Sequence, residues 1–276
     1  MTPSSPTRWE ISASAAILGL ATVSSLLGLV RDEHYVESAG ELMRIQAQDA
    51  VIVVVGVPVL GIGLWYATRG SVRGRIVWLG SLAFMAYMWT HYAFVVAYNE
   101  FFLGYIALFS LSVFTLLAGT VRTDATAVAV AVSDGLSERT YAGFLAFAAV
   151  GLAGMWLSDI VPSLATGDLP SGIAQFGAEA AHTYVIDLGV LVPALAISAI
   201  WLRRERPWGY VSSGVLLVFA ALVAPTLTAI TAVDLREGVA VTTPILVGTI
   251  VPPLIGALFA GTYLANLSSN ANDSSH

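Results

Sequence analysis

The chain of 276 residues contains no cysteine and no lysine, and it has few charged residues. Without cysteine it has no disulfide, thiolate metal site or iron–sulfur cluster. All 12 basic residues are arginine, so a Schiff base to lysine, as in a retinal protein, is excluded. Charged residues make up 11% of the chain, against about a quarter in an average soluble domain. This shortage excludes an ordinary water-soluble globular protein.

Long apolar runs fill most of the sequence, and 57% of its residues are hydrophobic. Eight runs of about 20 residues are each long enough to cross a bilayer as a helix. They are Ile11–Val30, Ala50–Ala67, Ile76–Tyr98, Phe101–Val121, Tyr141–Val161, Ala181–Leu202, Tyr210–Ala232 and Val239–Leu264. The runs are continuous, whereas barrel strands alternate. We therefore predict an all-α, polytopic transmembrane helix bundle of eight spans over residues 11–264, within a single integral membrane domain of residues 1–276.

The arginines divide unequally between the two sides of these spans. Nine share the side of the N-terminus: Arg8, Arg69, Arg73, Arg75, Arg122, Arg139, Arg203, Arg204 and Arg206. Three lie on the other side: Arg31, Arg44 and Arg236. The positive-inside rule then predicts a cell-membrane protein with both termini cytoplasmic, residues 1–10 as a short N-terminus and residues 265–276 as a disordered tail. No basic cluster is large enough for nucleic acid, so the predicted partner is the lipid bilayer.

Three connections between the spans are longer than tight turns. We expect the outer connection Asp32–Gln48 to form a short helix on the membrane surface. The outer connection Pro162–Gly177 is rich in glycine, proline and serine and is predicted to be a loop. The inner connection Thr123–Glu138 contains an alternating Ala-Val run at Ala127–Val132, which is too short to cross the membrane. The structure of this connection is left open.

A faint internal similarity relates the second and sixth spans. The second carries Asp49, Val57-Pro58, Trp65 and Arg69, and the sixth carries Asp187, Val192-Pro193, Trp201 and Arg203. Spans four and eight both end in Ala-Gly-Thr. These matches predict two four-helix halves in tandem, as in some transporters. The alternative is chance matching between apolar helices built from few residue types.

Ionisable side chains within a span are energetically costly, which makes them candidates for function. Three are identified, His91 in the third span and His182 and Asp187 in the sixth, and the topology puts all of them in the outer half. Asp187 has no basic residue in the outer half of any span. We therefore predict that it is protonated or faces a water-filled cavity, which would suit a proton-coupled carrier. A structural hydrogen bond to another helix is the alternative.

The third span also carries an aromatic stripe. Phe84, Tyr87, His91, Phe94 and Tyr98 follow steps of three and four, so they are predicted to share one helix face. Such a face could hold a flat apolar cofactor, namely a quinone, a haem or a polyene, and His91 with His182 could ligate a haem iron. The alternative is ordinary packing, with His91 bonded to a neighbouring helix. No set of residues defines a metal site.

Several segments together resemble a known group of proteins. They are Gln48-Asp49, Arg69–Ser71, Tyr98-Asn99, Phe101–Ser112, Asp187–Gly189, Val192-Pro193 and Arg206–Gly209. As a set, which covers the chain from about Gln48 to Gly209, they resemble an uncharacterised group of prokaryotic, eight-span integral membrane proteins. The resemblance implies a membrane bundle and carries no assigned activity or catalytic residues.

Three functions are consistent with these patterns. The sequence has no Walker, His-Glu-x-x-His or Gly-x-Ser-x-Gly motif, which favours a protein that is not an enzyme. The first hypothesis is a small-molecule carrier or permease with a polar site in the outer half of the bundle. Its predicted substrate or proton contacts are His91, His182, Asp187, Tyr87, Tyr98 and Asn99. The second is a redox or pigment-type protein that binds an apolar cofactor on the aromatic stripe. The third is a non-catalytic scaffold, as a homo-oligomer or with a partner subunit.

Overall fold

The computed structural model describes residues 5–31, 33–132, 135–239 and 243–273. Helices account for 86% of the chain, and the described ranges contain no β-strand, so the all-α prediction is confirmed. Seven helices are long and apolar enough to cross a membrane. Since only helices and closed barrels satisfy their backbone groups within lipid, this helical chain is a multi-pass membrane protein.

Twelve α-helices follow one another along the described ranges. They are α1 Arg8–Val30, α2 Ala39–Val51, α3 Val57–Thr68, α4 Val72–Phe94, α5 Phe102–Val121, α6 Ala125–Val132, α7 Glu138–Thr166, α8 Ser171–Phe176, α9 Ala181–Ile186, α10 Val192–Arg203, α11 Pro207–Arg236 and α12 Thr243–Asp273. A π-helical turn, Ile52–Gly56, joins α2 to α3, and another, Asp187–Leu191, joins α9 to α10. A short 3-10 turn, Ala178–Ala180, precedes α9.

Seven of the eight predicted spans coincide with the apolar helices. The remaining one, α4, is long but less apolar, because aromatic and polar side chains interrupt it. It ends at Phe94, so Tyr98 lies beyond the helix and the predicted stripe is shorter than expected. At the C-terminus, α12 runs to Asp273, well into the segment predicted as a disordered tail, and residues 274–276 of that segment lie outside the described ranges.

Two predictions about connections are wrong. The segment Asp32–Gln48 does not form a separate surface helix, because α2 begins at Ala39 and continues through the π turn into α3. Buried Ile45 and Gln48 anchor this extension to the protein core. The predicted loop Pro162–Gly177 is helical at both ends. α7 continues through Pro162, which membrane helices tolerate, and α8 follows after a short break.

The two π turns have a common local cause. Val57 and Val192 each donate their N–H to a carbonyl five residues earlier, at Ile52 and Asp187. A proline comes next in both helices. Proline has no N–H to donate and its ring clashes with the carbonyl four residues back, so a wider turn before it relieves the clash. Breaks of this kind are frequent at functional sites.

The described chain divides into two compact units, residues 1–136 with 214–276, and residues 137–213. In the first unit α4 is the central helix, and Trp78, Phe84 and Trp89 are completely buried along it. The indole N–H of Trp78 donates to Ser14 Oγ of α1 at 3.0 Å. A Cβ atom at Gly80 would collide with Val218 of α11, so α4 and α11 pack closely there. α4 is thus surrounded by protein along much of its length.

The second unit is an antiparallel helix pair with its connections. α7 packs along α10 and the π turn before it. The ring of Trp156 on α7 meets Tyr184 of α9 edge-on, with centroids 4.5 Å apart. Near the other end, Tyr210 donates its hydroxyl to Glu138 at 3.0 Å. This unit therefore holds its helices together through a few polar and aromatic contacts along an otherwise apolar seam.

Candidate functional site

A completely buried carboxylate lies where the helix of the second span breaks. Asp49, in the last turn of α2, is three residues before the first π turn and has no exposed surface. Tyr35 donates its hydroxyl to Oδ2 of Asp49 at 2.7 Å, and Tyr92 of α4 donates to Oδ1 at 2.9 Å. Among the described residues no cation forms an ion pair with this carboxylate. We call Asp49, Tyr35 and Tyr92 the Asp49 cage.

A second layer of polar groups links the cage to the chain before α2. The hydroxyl of Tyr105 on α5 lies 3.3 Å from Nε2 of His34, and the Asn99 amide donates to this hydroxyl at 3.1 Å. Tyr35 also interacts with Tyr105. A string of hydroxyls thus connects Asp49 to the buried imidazole of His34.

Charged residues surround His34 at the end of this string. The Arg31 guanidinium forms an ion pair with Glu100, and both side chains are about half exposed. Glu37 accepts the backbone N–H of Ala97 at 2.7 Å. Burial lowers the pKa of His34, and Arg31 lowers it further, while Glu100 and Glu37 raise it. The imidazole is therefore held neutral close to a charged and partly solvated edge.

The phenol of Tyr35 stays protonated and acts as a donor. Burial raises the pKa of its hydroxyl, and the neighbouring Asp49 carboxylate raises it further, because a second negative charge there would be repelled. A protonated phenol can donate to the carboxylate at any physiological pH. The cage therefore offers Asp49 neutral hydrogen-bond donors in place of a countercharge.

The lowered pKa of His34 predicts a pH-dependent stability. In the unfolded chain the imidazole binds a proton near pH 6.5, whereas in the folded protein it does so only at lower pH. The unfolded state then binds more protons below pH 6.5, so the free energy of unfolding falls as the pH falls through that value. We expect the melting temperature of the wild type in mild detergent, taken relative to that of a His34→Gln variant, to decrease from pH 7.5 to pH 5.5.

The variant His34→Gln isolates this contribution. Glutamine keeps a polar partner for Tyr105 and does not titrate, so the difference in pH dependence between the wild type and this variant measures the contribution of His34. Equal pH dependence in the two proteins would exclude His34 as the titrating group.

Of the sequence-predicted residues of the first unit, Tyr87 and His91 lie one turn apart on α4, whereas Tyr98 and Asn99 lie beyond its end. Tyr87 contacts Phe219 of α11 edge-on, with ring centroids 5.4 Å apart. His91 is half-buried and lies edge-on to Tyr92, 5.9 Å between centroids. Tyr98 is 81% exposed and packs only against Phe102 among the ring contacts of the described residues. Asn99, in contrast, joins the string of hydroxyls beside the cage.

The predicted residues of the second unit, His182 and Asp187, lie on α9 and at the start of the second π turn. Asp187 is 5% exposed, and its Oδ2 accepts the indole N–H of Trp156 at 2.9 Å. His182 Nε2 lies 3.4 Å from the hydroxyl of Thr183. A second acid, Asp159 of α7, accepts the hydroxyl of Tyr184 at 2.7 Å. Each acid therefore has a neutral aromatic donor, as Asp49 has.

Sequence reasoning missed the donors of the Asp49 cage. Tyr35 and His34 belong to a polar connection, and Tyr92 and Tyr105 fall near span ends, where tyrosine is common at the membrane interface. The sequence positions of these residues do not show which helices contact one another. As to metal, no three His, Asp or Glu side chains converge suitably in the part of the chain that the structure describes.

The ionic contacts of the first unit fall into two sets. Glu10 of α1 lies 3.8 Å from Arg122 at the end of α5, and Arg75 at the start of α4 bonds to Thr123. These residues belong to the side predicted to be cytoplasmic. The other set joins residues predicted to be outside: Arg31 with Glu100, and Arg44 with Asp234 at 2.5 Å. Each set contains only residues from one predicted side.

In comparisons with known proteins, no family model, curated protein or solved structure matches this chain.

Proposed function

We propose that this chain is an eight-span, proton-coupled carrier of a small molecule, with Asp49 as the group that takes up and releases the proton. The observation that carries this proposal is the burial of Asp49, at the break of a membrane helix, with two tyrosine donors and no ion-pairing cation among the described residues. An ionisable residue in such a position is costly, and function is the usual reason for it.

The eighth span of the proposed carrier is α4. Its 23 residues extend about 34 Å at about 1.5 Å per residue, which exceeds the hydrocarbon core of about 30 Å. Short connections join it to α3 and α5, which are both membrane-span helices. Because protein surrounds much of α4, it needs less hydrophobicity than a helix that faces lipid.

An even number of spans gives both termini the same side. The separation of ionic contacts into two sets supports this topology for the first unit, with Glu10, Arg75 and Arg122 at the cytoplasmic end. The arginine excess at that end sets the proposed orientation.

Two tandem halves are part of the proposal, and the backbone supports them. The two π turns lie 135 positions apart (52 to 187), as do the turns that follow, where Gly70 and Glu205 have positive φ (70 to 205). In both hairpins a glycine at the start of the next helix, Gly74 or Gly209, lies against the backbone that ends the previous one. Parallel repeats with broken helices are a known basis for alternating access in transporters.

The tight packing around the Asp49 carboxylate favours a proton as the ligand of the Asp49 cage. Both oxygens of Asp49 are in contact with tyrosine hydroxyls, and Gly28 packs so tightly on the carboxylate that a Cβ there would collide with it. A proton needs no cavity, whereas an organic substrate does. The string through Tyr35, Tyr105 and His34 would lead this proton toward the partly exposed Glu100.

Asp187 and His182 would serve the second half of the carrier. Asp187 opens the second π turn, is nearly buried and accepts a bond from Trp156. If the bond between Trp156 and Asp187 changed when substrate binds, the Asp187 carboxylate and the second π turn would respond together. We therefore expect Asp187, like Asp49, to be required for transport.

The test uses purified protein in liposomes that contain a pH-sensitive dye. Glycine, lactate, glucose and choline are added outside in turn, as zwitterionic, anionic, neutral and cationic probes. We expect at least one of them to change the internal pH, because substrate and proton move together. Asp49→Asn and Asp187→Asn should abolish this change, and the exposed Asp168→Asn is the matched control that should retain it.

Two results would contradict the proposal. No pH change with any probe in the wild type would count against a proton-coupled carrier of these classes. A normal change in a folded Asp49→Asn protein would exclude Asp49 as the coupling group.

A further inference from the structure

A groove of about 980 Å³ opens at one end of the first unit. Its walls are the end of α3, the start of α4, the short helix α6 and Leu267 of α12. The residues around it belong to the side with the arginine excess, which is predicted to be cytoplasmic. The groove is separate from the Asp49 cage, since the two share no residue.

Two arginines that form no ion pair with a described acid line this groove. The guanidinium of Arg69 lies 3.7 Å from the ring centroid of Trp65, and Nε of Arg73 is buried with no hydrogen-bond partner among the described residues. Neither side chain forms an ion pair with a described carboxylate. The two positive charges therefore lack a counter-ion among the described residues, which an anionic ligand would supply.

The lining contains one acidic residue against two arginines, and this acid forms no ion pair with either of them. Asp124 caps α6 and accepts the backbone N–H of Ala127 at 3.0 Å. α4 begins in the same groove, with Ser71 accepting the N–H of Gly74 at 3.1 Å. The N-terminus of this 23-residue helix adds partial positive charge to that of the arginines. The groove therefore favours an anion.

Much of the remaining lining is apolar and suits a hydrocarbon chain. Ile62, Val77, Val130 and Leu267 belong to this part of the lining. A simple soluble anion would use only the charged end. A ligand with an anionic head and an apolar chain would use both.

We propose that this groove binds an acidic phospholipid of the bilayer, with its phosphate at Arg69 and Arg73 and an acyl chain along Val77 and Val130. Basic pockets between membrane helices on the cytoplasmic side are suited to such headgroups. This proposal does not depend on transport, so it can be tested separately from the proposed function.

The experiment measures lipid binding to the full chain. Protein in nanodiscs of phosphatidylcholine is compared with protein in nanodiscs that also contain phosphatidylglycerol, by melting temperature and by native mass spectrometry of retained lipid. We expect phosphatidylglycerol to raise the melting temperature and to be retained at one molecule per chain. The double variant Arg69→Gln/Arg73→Gln should reduce this retention at least tenfold.

Two controls separate the alternatives. Arg139→Gln removes an exposed arginine outside the groove and should keep the wild-type retention. Inorganic phosphate added to phosphatidylcholine nanodiscs should not reproduce the stabilisation. Equal retention in the double variant and the wild type would overturn the site, and full stabilisation by phosphate alone would overturn a lipid as its occupant.

Discussion

Replacing Gly63 with alanine should destabilise the protein strongly, although alanine is the better helix former. A Cβ at Gly63 would lie 2.7 Å from the backbone nitrogen of Trp78 and 2.9 Å from its Cα. Backbone atoms cannot rotate away as a side chain can, so α3 and α4 must separate. Small residues that permit close approach are a main source of helix association in membranes. We expect a loss of about 1–3 kcal/mol, measured as a lower melting temperature in mild detergent.

Gly61, two residues earlier on α3, provides the matched control. A Cβ there would have Leu18 as its nearest neighbour at 3.9 Å, an ordinary van der Waals distance. Gly61→Ala should therefore leave the melting temperature unchanged or raise it, since alanine restricts the unfolded chain more than glycine does. Equal loss in both variants would show that the closeness of α3 and α4 is not the cause.

Loss of the buried guanidinium of Arg75 should have the largest effect of any substitution of an arginine. This side chain is 1% exposed, donates to the carbonyl of Gly119 at 2.6 Å and to Thr123 Oγ1 at 3.1 Å, and lies over Trp78. Glu10, also completely buried, is within electrostatic reach. Arg75→Met would remove the donor of both acceptors and one of the two cations near Glu10, whose remaining partner Arg122 lies 3.8 Å away. We expect a loss of about 3–5 kcal/mol.

The measurement is the melting temperature and the half-life in detergent of Arg75→Met. The exposed Arg139→Met is the control for the loss of one positive charge. A second comparison adds Glu10→Gln, which should be less harmful in the Arg75→Met background, because the buried acid has already lost one of its two cations there. If Arg75→Met has the same melting temperature as the wild type, the bonds to Gly119 and Thr123 contribute little to stability.

The helices were predictable because each span is encoded locally, by a continuous apolar run. The helix breaks were partly predictable, since Pro58 and Pro193 are visible in the sequence. Their register was predictable only in part. Val57-Pro58 and Val192-Pro193 are 135 positions apart, as the two π turns are, whereas Asp49 and Asp187 are 138 positions apart. Apolar helices drawn from few residue types allow several such alignments, and the backbone geometry favours the spacing of the prolines.

The site depends on contacts between helices, which periodicity does not encode. Asp187 and Asp49 are both visible as acids near span ends, but the bond from Trp156 to Asp187 joins residues 31 positions apart. The bond from Tyr92 to Asp49 joins residues 43 positions apart. His91, which is central in the predicted stripe, is adjacent to Tyr92 in sequence but does not take part in the cage. The neighbouring tyrosine, one residue further along α4, does.

The division of the chain also sets the order in which the protein can be assembled during synthesis. Residues 137–213 form a unit that is continuous in sequence, so all of its helices are made before the last two are complete. The other unit needs both ends of the chain: Gly214 packs on Ile76 and Tyr263, and the amide of Asn266 donates to the carbonyl of Gly135 at 2.9 Å. The central helix α4 must therefore remain without part of its packing until α12 has been made. Ribosome-bound chains truncated before residue 243 should consequently be sensitive to proteases in the first unit while the second unit is already resistant.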